Sequence, residues 1–408
     1  MNCRHCQRPL ERVFLDLGFA PPSNRYLKAE DLQRPEQYLP LKLYVCDGCW
    51  LVQTQDVAGE TELFTDDYAY FSSISTSWLR HAAAYAQAIT SRLRLGPKSF
   101  VVEVASNDGY LLKNFVAAGI PCLGIEPTAS TAAAAERLGI PVWREFFGAA
   151  LARKIAAERG PADLVAGNNV YAHVPDINDF TRGLEILLTP DGVVTLEFPH
   201  LVRLIEGIQF DTVYHEHYSY LSLTAVDHVF RDAGMRIFDV QELPTHGGSL
   251  RVYGCREASQ RQELPAVAAM LDREKAFGLT DGAIYDAFQP RISRIRDGLL
   301  SYLIAKRQAG RVVAAYGAAA KGNTLLNYAG VKPDLLAYVC DAAPSKQGLF
   351  LPGTHLPIHA PHVIRERHPD SILLLPWNLR EEIARDLDYV KEWGGELVVA
   401  VPEIAIVR

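Results

Sequence analysis

Five consecutive residues, Tyr214-His215-Glu216-His217-Tyr218, carry two imidazoles, a carboxylate and two phenols. That is more acid–base capacity than a loop needs for stability. An imidazole, with an ordinary pKa of about 6.5, can take a proton near neutral pH. Upstream, Val101-Val102-Glu103-Val104-Ala105-Ser106-Asn107-Asp108-Gly109 runs from an apolar strand into a polar loop. Nearer the start are two cysteine pairs, Cys3-x-x-Cys6 and Cys46-x-x-Cys49. A cofactor loop followed by a proton-transfer cluster implies an enzyme that removes a proton and then transfers a group.

The cysteine pairs supply four thiolates, and each pair can set two sulfurs on one ion in tetrahedral geometry. Four thiolates close the coordination shell, so the expected metal is a structural Zn2+ on Cys3, Cys6, Cys46 and Cys49. The alternative is four unrelated thiols. His5 lies between two ligands and is read as a bystander. The loop at Glu103 is not a GxGxxG fingerprint, because Gly109 is its one glycine. Gly109 is read as the point where backbone approaches a ligand closely. Glu103 and Asp108 would repel a phosphate and favour a cation, and S-adenosylmethionine carries a sulfonium and an ammonium. Glu126, at the end of the next strand, stands where an acid accepts both hydroxyls of a ribose. Asn168 and Asn169 end a third strand and are read as lining the same crevice, with His173 facing its centre. The candidate cofactor residues are Glu103, Ala105, Ser106, Asn107, Gly109, Glu126 and Asn168. The alternative is an ordinary strand-to-helix turn with solvated acids.

The elements that must hold these groups follow from the pattern. The chain has 408 residues, 49% hydrophobic and 22% charged, enough for two or three globular domains. Residues 1–62 hold the cysteine pairs with little apolar material, the composition of a small domain that needs a staple. A helix is expected over residues 77–94. Beyond it, apolar runs at 100–104, 121–125, 163–167 and 193–198 alternate with helix-like segments at 110–118, 131–138 and 179–188. That alternation predicts an α/β, doubly wound parallel sheet. Residues 235–243 and 249–255 are expected as an antiparallel edge on it. Helices over 264–307, interrupted at Pro290, bridge to a second alternating unit with strands at 311–316, 335–341, 372–375 and 396–401, and helices at 323–329 and 380–392. The net charge of −7 with no basic run gives no support for nucleic-acid binding or an anionic membrane surface. There is no apolar stretch long enough for a membrane span and no apolar signal region at the N-terminus. The expected compartment is the cytoplasm, and three packed domains are compatible with a monomer.

The motifs also occur in a telling order. The cysteine pairs are followed by Asp67-Tyr68-Ala69-Tyr70-Phe71-Ser72-Ser73, the Glu103 loop, Asn169-Val170-Tyr171-Ala172-His173 and the Tyr214 cluster. Then come His246-Gly247-Gly248-Ser249-Leu250-Arg251 and Tyr316-Gly317-Ala318-Ala319-Ala320-Lys321-Gly322-Asn323. Over nearly its whole length the chain resembles the S-adenosylmethionine-dependent sugar C-methyltransferases, which act on nucleotide-linked deoxy-keto-sugars. The resemblance implies a zinc-binding domain (residues 1–62), a Rossmann-like methyltransferase domain (63–260) and a C-terminal Rossmann-like domain with bridging helices (261–408). It implies His217 as base, with Tyr214 and Glu216 beside it and His173 as a further active-site histidine. Tyr68 is the tyrosine expected to face the sugar, and Tyr70 is the competing choice. The nucleotide is expected between the last two domains. There the loop at 317–323 would offer backbone N–H groups and Lys321 to diphosphate oxygens, with His246, Asn323 and Tyr70 as further substrate contacts.

The chemistry is self-consistent on a 4-keto-sugar. A carbon beside a ketone is acidic enough to lose a proton to an imidazole. The enolate oxygen then needs a donor, either a tyrosine hydroxyl or His173, and Glu216 would orient His217 or contact a sugar substituent. Three other readings compete. They are an O- or N-methyltransferase using the same cofactor loop, an NAD-dependent sugar-modifying protein working through the C-terminal half, and a non-catalytic zinc-binding interaction protein.

Overall fold

The computed structural model describes residues 1–55, 57 and 71–407, which form three sheets. Strands are numbered here in chain order. The first sheet is antiparallel and joins β1 (Arg12–Ala20), β2 (Leu39–Val45), β3 (Val52–Thr54) and the distant β9 (Ser219–Tyr220). Val52 pairs with Tyr220 and Gln53 with Ser219. The residues just after the Tyr214 cluster are therefore part of the cysteine-bearing sheet.

The central sheet contains β4 (Val101–Val104), β5 (Cys122–Ile125), β6 (Val142–Trp143), β7 (Ala162–Asn168), β8 (Leu188–Pro199), β10 (Met235–Leu243) and β11 (Ser249–Arg256). Its order is β10-β11-β8-β7-β4-β5-β6. The strands from β4 to β8 run parallel, and β10 and β11 close the edge antiparallel, as the alternation predicted. Strand order reverses at β4, the position where doubly wound sheets open a crevice for ligands. The third sheet runs β14-β13-β12-β15-β16-β17. Its strands are β12 (Val313–Tyr316), β13 (Val339–Cys340), β14 (Ile358–His359), β15 (Ser371–Leu374), β16 (Glu396–Val399) and β17 (Ala405–Ile406).

Several boundaries differ from the sequence reading for physical reasons. The strand expected over 335–341 shrinks to Val339–Cys340. The bridging segment forms helices Pro265–Phe277, Gly282–Asp286 and Phe288–Gln308. The first stop is at Gly278, whose φ of 98° ends the helix, while Pro290 sits in the first turn of the last helix, where no N–H is needed. The Ala149–Arg159 and Leu223–Asp232 helices were not anticipated. Ser222 caps the latter by accepting from the Ala225 N–H at 3.1 Å.

The N-terminal domain has no private core. Phe14, Leu15, Leu41 and Leu43 pack in one cluster with Leu299, Leu325 and Leu373 of the C-terminal half. Leu10, Leu51 and the cysteines pack in another with Val102, Val165 and Leu196 of the central sheet. No helix among the described residues is long and apolar enough to cross a membrane.

Gly254 lies mid-strand in β11, where an added Cβ would meet Phe230 Cε1 at 2.3 Å and Val194 Cγ1 at 2.8 Å. Gly254→Ala is expected to destabilise the fold by about 1–3 kcal/mol, measured by denaturant unfolding. An unchanged midpoint would mean that β11 does not pack as tightly as this.

Candidate active site and zinc centre

The four sulfurs of Cys3, Cys6, Cys46 and Cys49 lie within 4.8 Å of one another. Cys3 Sγ is 3.5 Å from Cys49 Sγ, and Cys6 Sγ is 3.4 Å from Cys46 Sγ. A tetrahedral zinc with Zn–S bonds near 2.3 Å requires sulfur separations of roughly 3.8 Å. The donor set therefore fits Zn2+ with small adjustment. Hydrogen bonds to Cys3, first from Cys49, then from the backbone at Cys6 and from the Gln53 side chain, favour a thiolate there against the cost of burial. His5 is engaged elsewhere: its Nδ1 is 2.8 Å from Asn178 Oδ1, and its Nε2 lies 3.4 Å from Asp232 Oδ2. The knuckle is thus docked on the central domain.

The cofactor loop is built from unusual backbone. Ala105, Asn107 and Gly109 all have positive φ, at 56°, 49° and 80°. Two of the three are not glycine, a strain of the kind found at ligand-binding turns. Gly109 also has a packing reason to be glycine. A Cβ there would strike Ile140 Cδ1 at 2.4 Å and Ala135 Cβ at 3.2 Å, so helix packing and the positive φ demand glycine. Glu126 accepts from the Asn107 N–H at 2.9 Å and the Thr128 N–H at 3.0 Å, which ties the loop to the end of β5. Asn107 and Asp108 accept from the N–H groups of Ser72 and Ser73, each at 3.0 Å.

The crevice is rich in acceptors. Among the described residues, Asp108 Oδ1, Asn168 Oδ1 and Ser106 Oγ are buried without a hydrogen-bond partner, and the Glu103 carboxyl is buried with the Tyr110 hydroxyl beside it. Burial pushes the Glu103 carboxyl well above the ordinary carboxylate range. Glu126 and Asp108 push the same way, and only the nearby Tyr110 hydroxyl opposes. Buried acceptors without donors call for a ligand that brings donors or positive charge, and the ammonium and sulfonium of S-adenosylmethionine fit that demand.

The Tyr214–Tyr218 segment has a defined hydrogen-bond arrangement. His217 Nδ1 is 2.9 Å from the Thr212 carbonyl, so Nδ1 carries the proton and donates. Nε2 is then a lone pair, and the Tyr214 hydroxyl donates to it at 2.7 Å. The His173 ring meets His217 edge-on at 4.5 Å between centroids. Burial, then the proximity of His173, holds His217 well below its ordinary pKa. Burial takes His173 to about 4, against a hydrogen bond to the Glu216 backbone carbonyl. Burial and the Lys321 charge take His246 to about 4. The cluster is a set of neutral imidazoles, one with its lone pair fixed in direction.

The remaining expected residues divide. His246 Nε2 accepts from Asn169 Nδ2 at 3.0 Å, which joins the end of β7 to the turn before β11. Lys321 lies in the same crevice, with Nζ 3.1 Å from Asn378 Oδ1 and 4.8 Å from the Trp377 ring centroid. Glu216 does not orient His217. The Thr212 carbonyl does that, and both Glu216 oxygens accept from Asn24 Nδ2 at 2.8 Å. Asn323 is buried and donates to the Ser23 carbonyl at 2.6 Å, a bond between domains. Asp341 accepts from the N–H groups of Ala318 and Ala343 at 2.7 and 2.8 Å. Tyr68 and Tyr70 lie outside the described residues.

Sequence reasoning missed a buried network beneath the site. Glu197, fully buried on β8, is shared by His81 Nε2 at 2.9 Å, Thr245 Oγ1 at 2.9 Å and Arg251 Nη2 at 2.5 Å. Burial opposes its charge, but His81 and Arg251 hold it below the ordinary range. Trp78 packs 5.9 Å from Tyr110 and 5.2 Å from His246, a wall between the cofactor loop and the histidines. A charged residue inside the apolar run of β8 was the one signal available.

Two outcomes test this site. Metal analysis should find about one zinc per chain, and chelation should unfold the N-terminal sheet; folded protein with no zinc would refute the centre. His173, His217 and His246 are neutral when folded but take up protons near pH 6.5 when unfolded. Stability should therefore fall as pH drops from about 6.5 toward 4, and the imidazole NMR signals of these three should not titrate at pH 6. Titration at the ordinary pKa would contradict their burial.

With this geometry in hand, the similarities to known proteins fall into line. The zinc binding domain of the methyltransferase 13 family matches residues 3–64, a methyltransferase domain matches 78–240, and the C-methyltransferase C-terminal domain matches 244–402. The C-methyltransferase NovU of Streptomyces niveus is 34% identical over 406 residues, covering 100% of this chain and 96% of that protein. Among solved structures, magnesium protoporphyrin IX methyltransferase of Synechocystis PCC 6803 has 16% identity and a TM-score of 0.33 over 44% of this chain and 78% of its own. An S-adenosylmethionine-dependent methyltransferase of Clostridium acetobutylicum has 8% identity and a TM-score of 0.36 over 44% and 92%. The chain belongs to the S-adenosylmethionine-dependent C-methyltransferases, with a zinc-binding N-terminal domain.

Proposed function

We propose that this C-methyltransferase acts on a nucleotide-linked deoxy-4-keto-sugar, and that His217 removes the proton beside the ketone. The observation that carries the reading is the fixed tautomer of His217. A base must present a lone pair in one direction, and the bond from Nδ1 to the Thr212 carbonyl leaves Nε2 as that lone pair. Its depressed pKa keeps it unprotonated at neutral pH.

The residues then take these roles. Tyr214 occupies Nε2 until substrate arrives, and its hydroxyl is the nearest donor for the enolate oxygen, with His173 the second candidate. When bound, S-adenosylmethionine supplies an electrophilic methyl on a cationic sulfur. Glu103, Ala105, Ser106, Asn107, Gly109 and Asn168 form its crevice, and Glu126 is the acid for its ribose. Lys321, His246 and the first-turn N–H groups of the Ala320–Tyr328 helix face the substrate side, where a cation and unpaired amides suit a diphosphate. The division of labour we propose is zinc-binding residues 1–62, methyl transfer by 63–260 and nucleotide-sugar binding by 261–408.

A screen of nucleotide-linked 4-keto-sugars with S-adenosylmethionine should give a mass gain of one methyl on carbon. Enzyme without methyl donor should exchange the proton beside the ketone with solvent. Methyl found on oxygen or nitrogen, with no exchange, would replace this reading by an O- or N-methyltransferase. His217→Asn should abolish both transfer and exchange while leaving S-adenosylmethionine affinity nearly intact. Because the His217 pKa is depressed, kcat/KM should stay flat as pH falls from 8 through 6.5, and the loss should begin only below that. A limb centred at 6.5 or higher would argue against His217 as the base.

A further inference from the structure

The segment that aims His217 is held from the opposite domain. Trp377 Nε1 donates to Asp211 Oδ2 at 2.7 Å, and Thr324 Oγ1 donates to the Val213 carbonyl at 2.7 Å. Both donors belong to the C-terminal half. They grip the residues on either side of Thr212, whose carbonyl sets the His217 tautomer at 2.9 Å. Asp211 and Thr324 are buried to 0% and 2% exposure, so neither bond can be exchanged cheaply for water. Within the segment, the Thr212 hydroxyl donates to the Gln209 carbonyl at 2.7 Å, and Gln209 Nε2 in turn donates to the Gly247 carbonyl at 2.9 Å, next to His246.

We infer that Thr324 and Trp377 are positioning residues for the base: they clamp Asp211 and Val213 from the C-terminal domain, and so hold the Thr212 carbonyl where it fixes the His217 ring. Neither touches the imidazole. Their effect runs through the backbone of residues 211–213. Trp377 also lies against Lys321, and Thr324 lies on the helix that carries Lys321. The residues that aim the base thus share a helix and a ring contact with the residue on the substrate side of the crevice.

This inference rests on His217 being the base, and the experiment separates the two. Thr324→Val removes the hydroxyl at nearly constant volume, and Trp377→Phe removes the N–H while keeping an aromatic ring. Each should lower kcat and the rate of solvent proton exchange by about 10- to 100-fold, with KM for S-adenosylmethionine unchanged. Nitrogen NMR of His217 should change from one fixed Nδ1–H tautomer to a mixture. Thr324→Ser should restore both readouts. Thermal unfolding of each variant checks that the fold persists, and Trp377→Phe stands if Thr324→Val does not fold. Full kcat in folded Thr324→Val and Trp377→Phe, or a kcat loss with the His217 tautomer unchanged, would overturn the clamp. Full activity in His217→Asn would instead overturn the base assignment itself.

Discussion

One hydrogen bond, from His217 Nδ1 to the Thr212 carbonyl, determines what the rest of the site can do. A neutral imidazole has two tautomers of similar energy, and only one puts a lone pair on Nε2. A carbonyl can only accept, so it selects that tautomer without adding charge. A carboxylate in the same place would make the ring more basic and favour imidazolium. A backbone acceptor, together with deep burial, leaves an imidazole that is neutral and aimed, as the proposed base must be. The molecule is arranged around the backbone that supplies this carbonyl. The central domain carries it, the zinc-bearing sheet takes up the chain just past it in β9, and the C-terminal domain grips it from the far side.

Charge is sorted across the crevice. Glu103, Asp108 and Glu126 gather on the proposed cofactor side, whereas the Lys321 charge acts on His217 and His246. Among the described residues Lys321 makes no direct ion pair. Asp211, a carboxylate that acts on its charge, gives one oxygen to Trp377 and is pushed up to about 6 by its own burial. A fully satisfied salt bridge would have consumed the cation. Glu197 shows the opposite arrangement: three donors saturate it, which makes it a fixed pillar under His246 and Asn169 and not a reactive group.

Local signals carried far in this chain. Strand–helix alternation placed the central sheet and its antiparallel edge, because each element repeats a period that burial enforces. The cysteine spacing found the zinc centre, because two short pairs suffice to describe a tetrahedral shell. What could not be read was anything set by contacts between distant segments. The acceptor of His217 Nδ1 is a main-chain carbonyl, which no side-chain motif reveals. Glu216 looked like the partner of its neighbour His217, yet it pairs with Asn24, 192 positions away. Gly109 was marked for the approach of a ligand, and the packing of Ile140 and Ala135 against it was not legible. His81 and Arg251 belong to separate elements and become a pair only once the Thr76–Leu93 helix lies across β8 and β11.

The pairing of Val52 and Gln53 with Tyr220 and Ser219 also has a bearing on biogenesis. A ribosome releases the cysteine-bearing hairpins long before it makes the strand that finishes their sheet. The edge of β3 therefore waits, unpaired, while some 165 residues emerge. An open strand edge is a template for stray association. Early capture of the metal would hold the nascent module together through that interval, and its sheet closes only when the chain after the Tyr214–Tyr218 segment has been threaded into place.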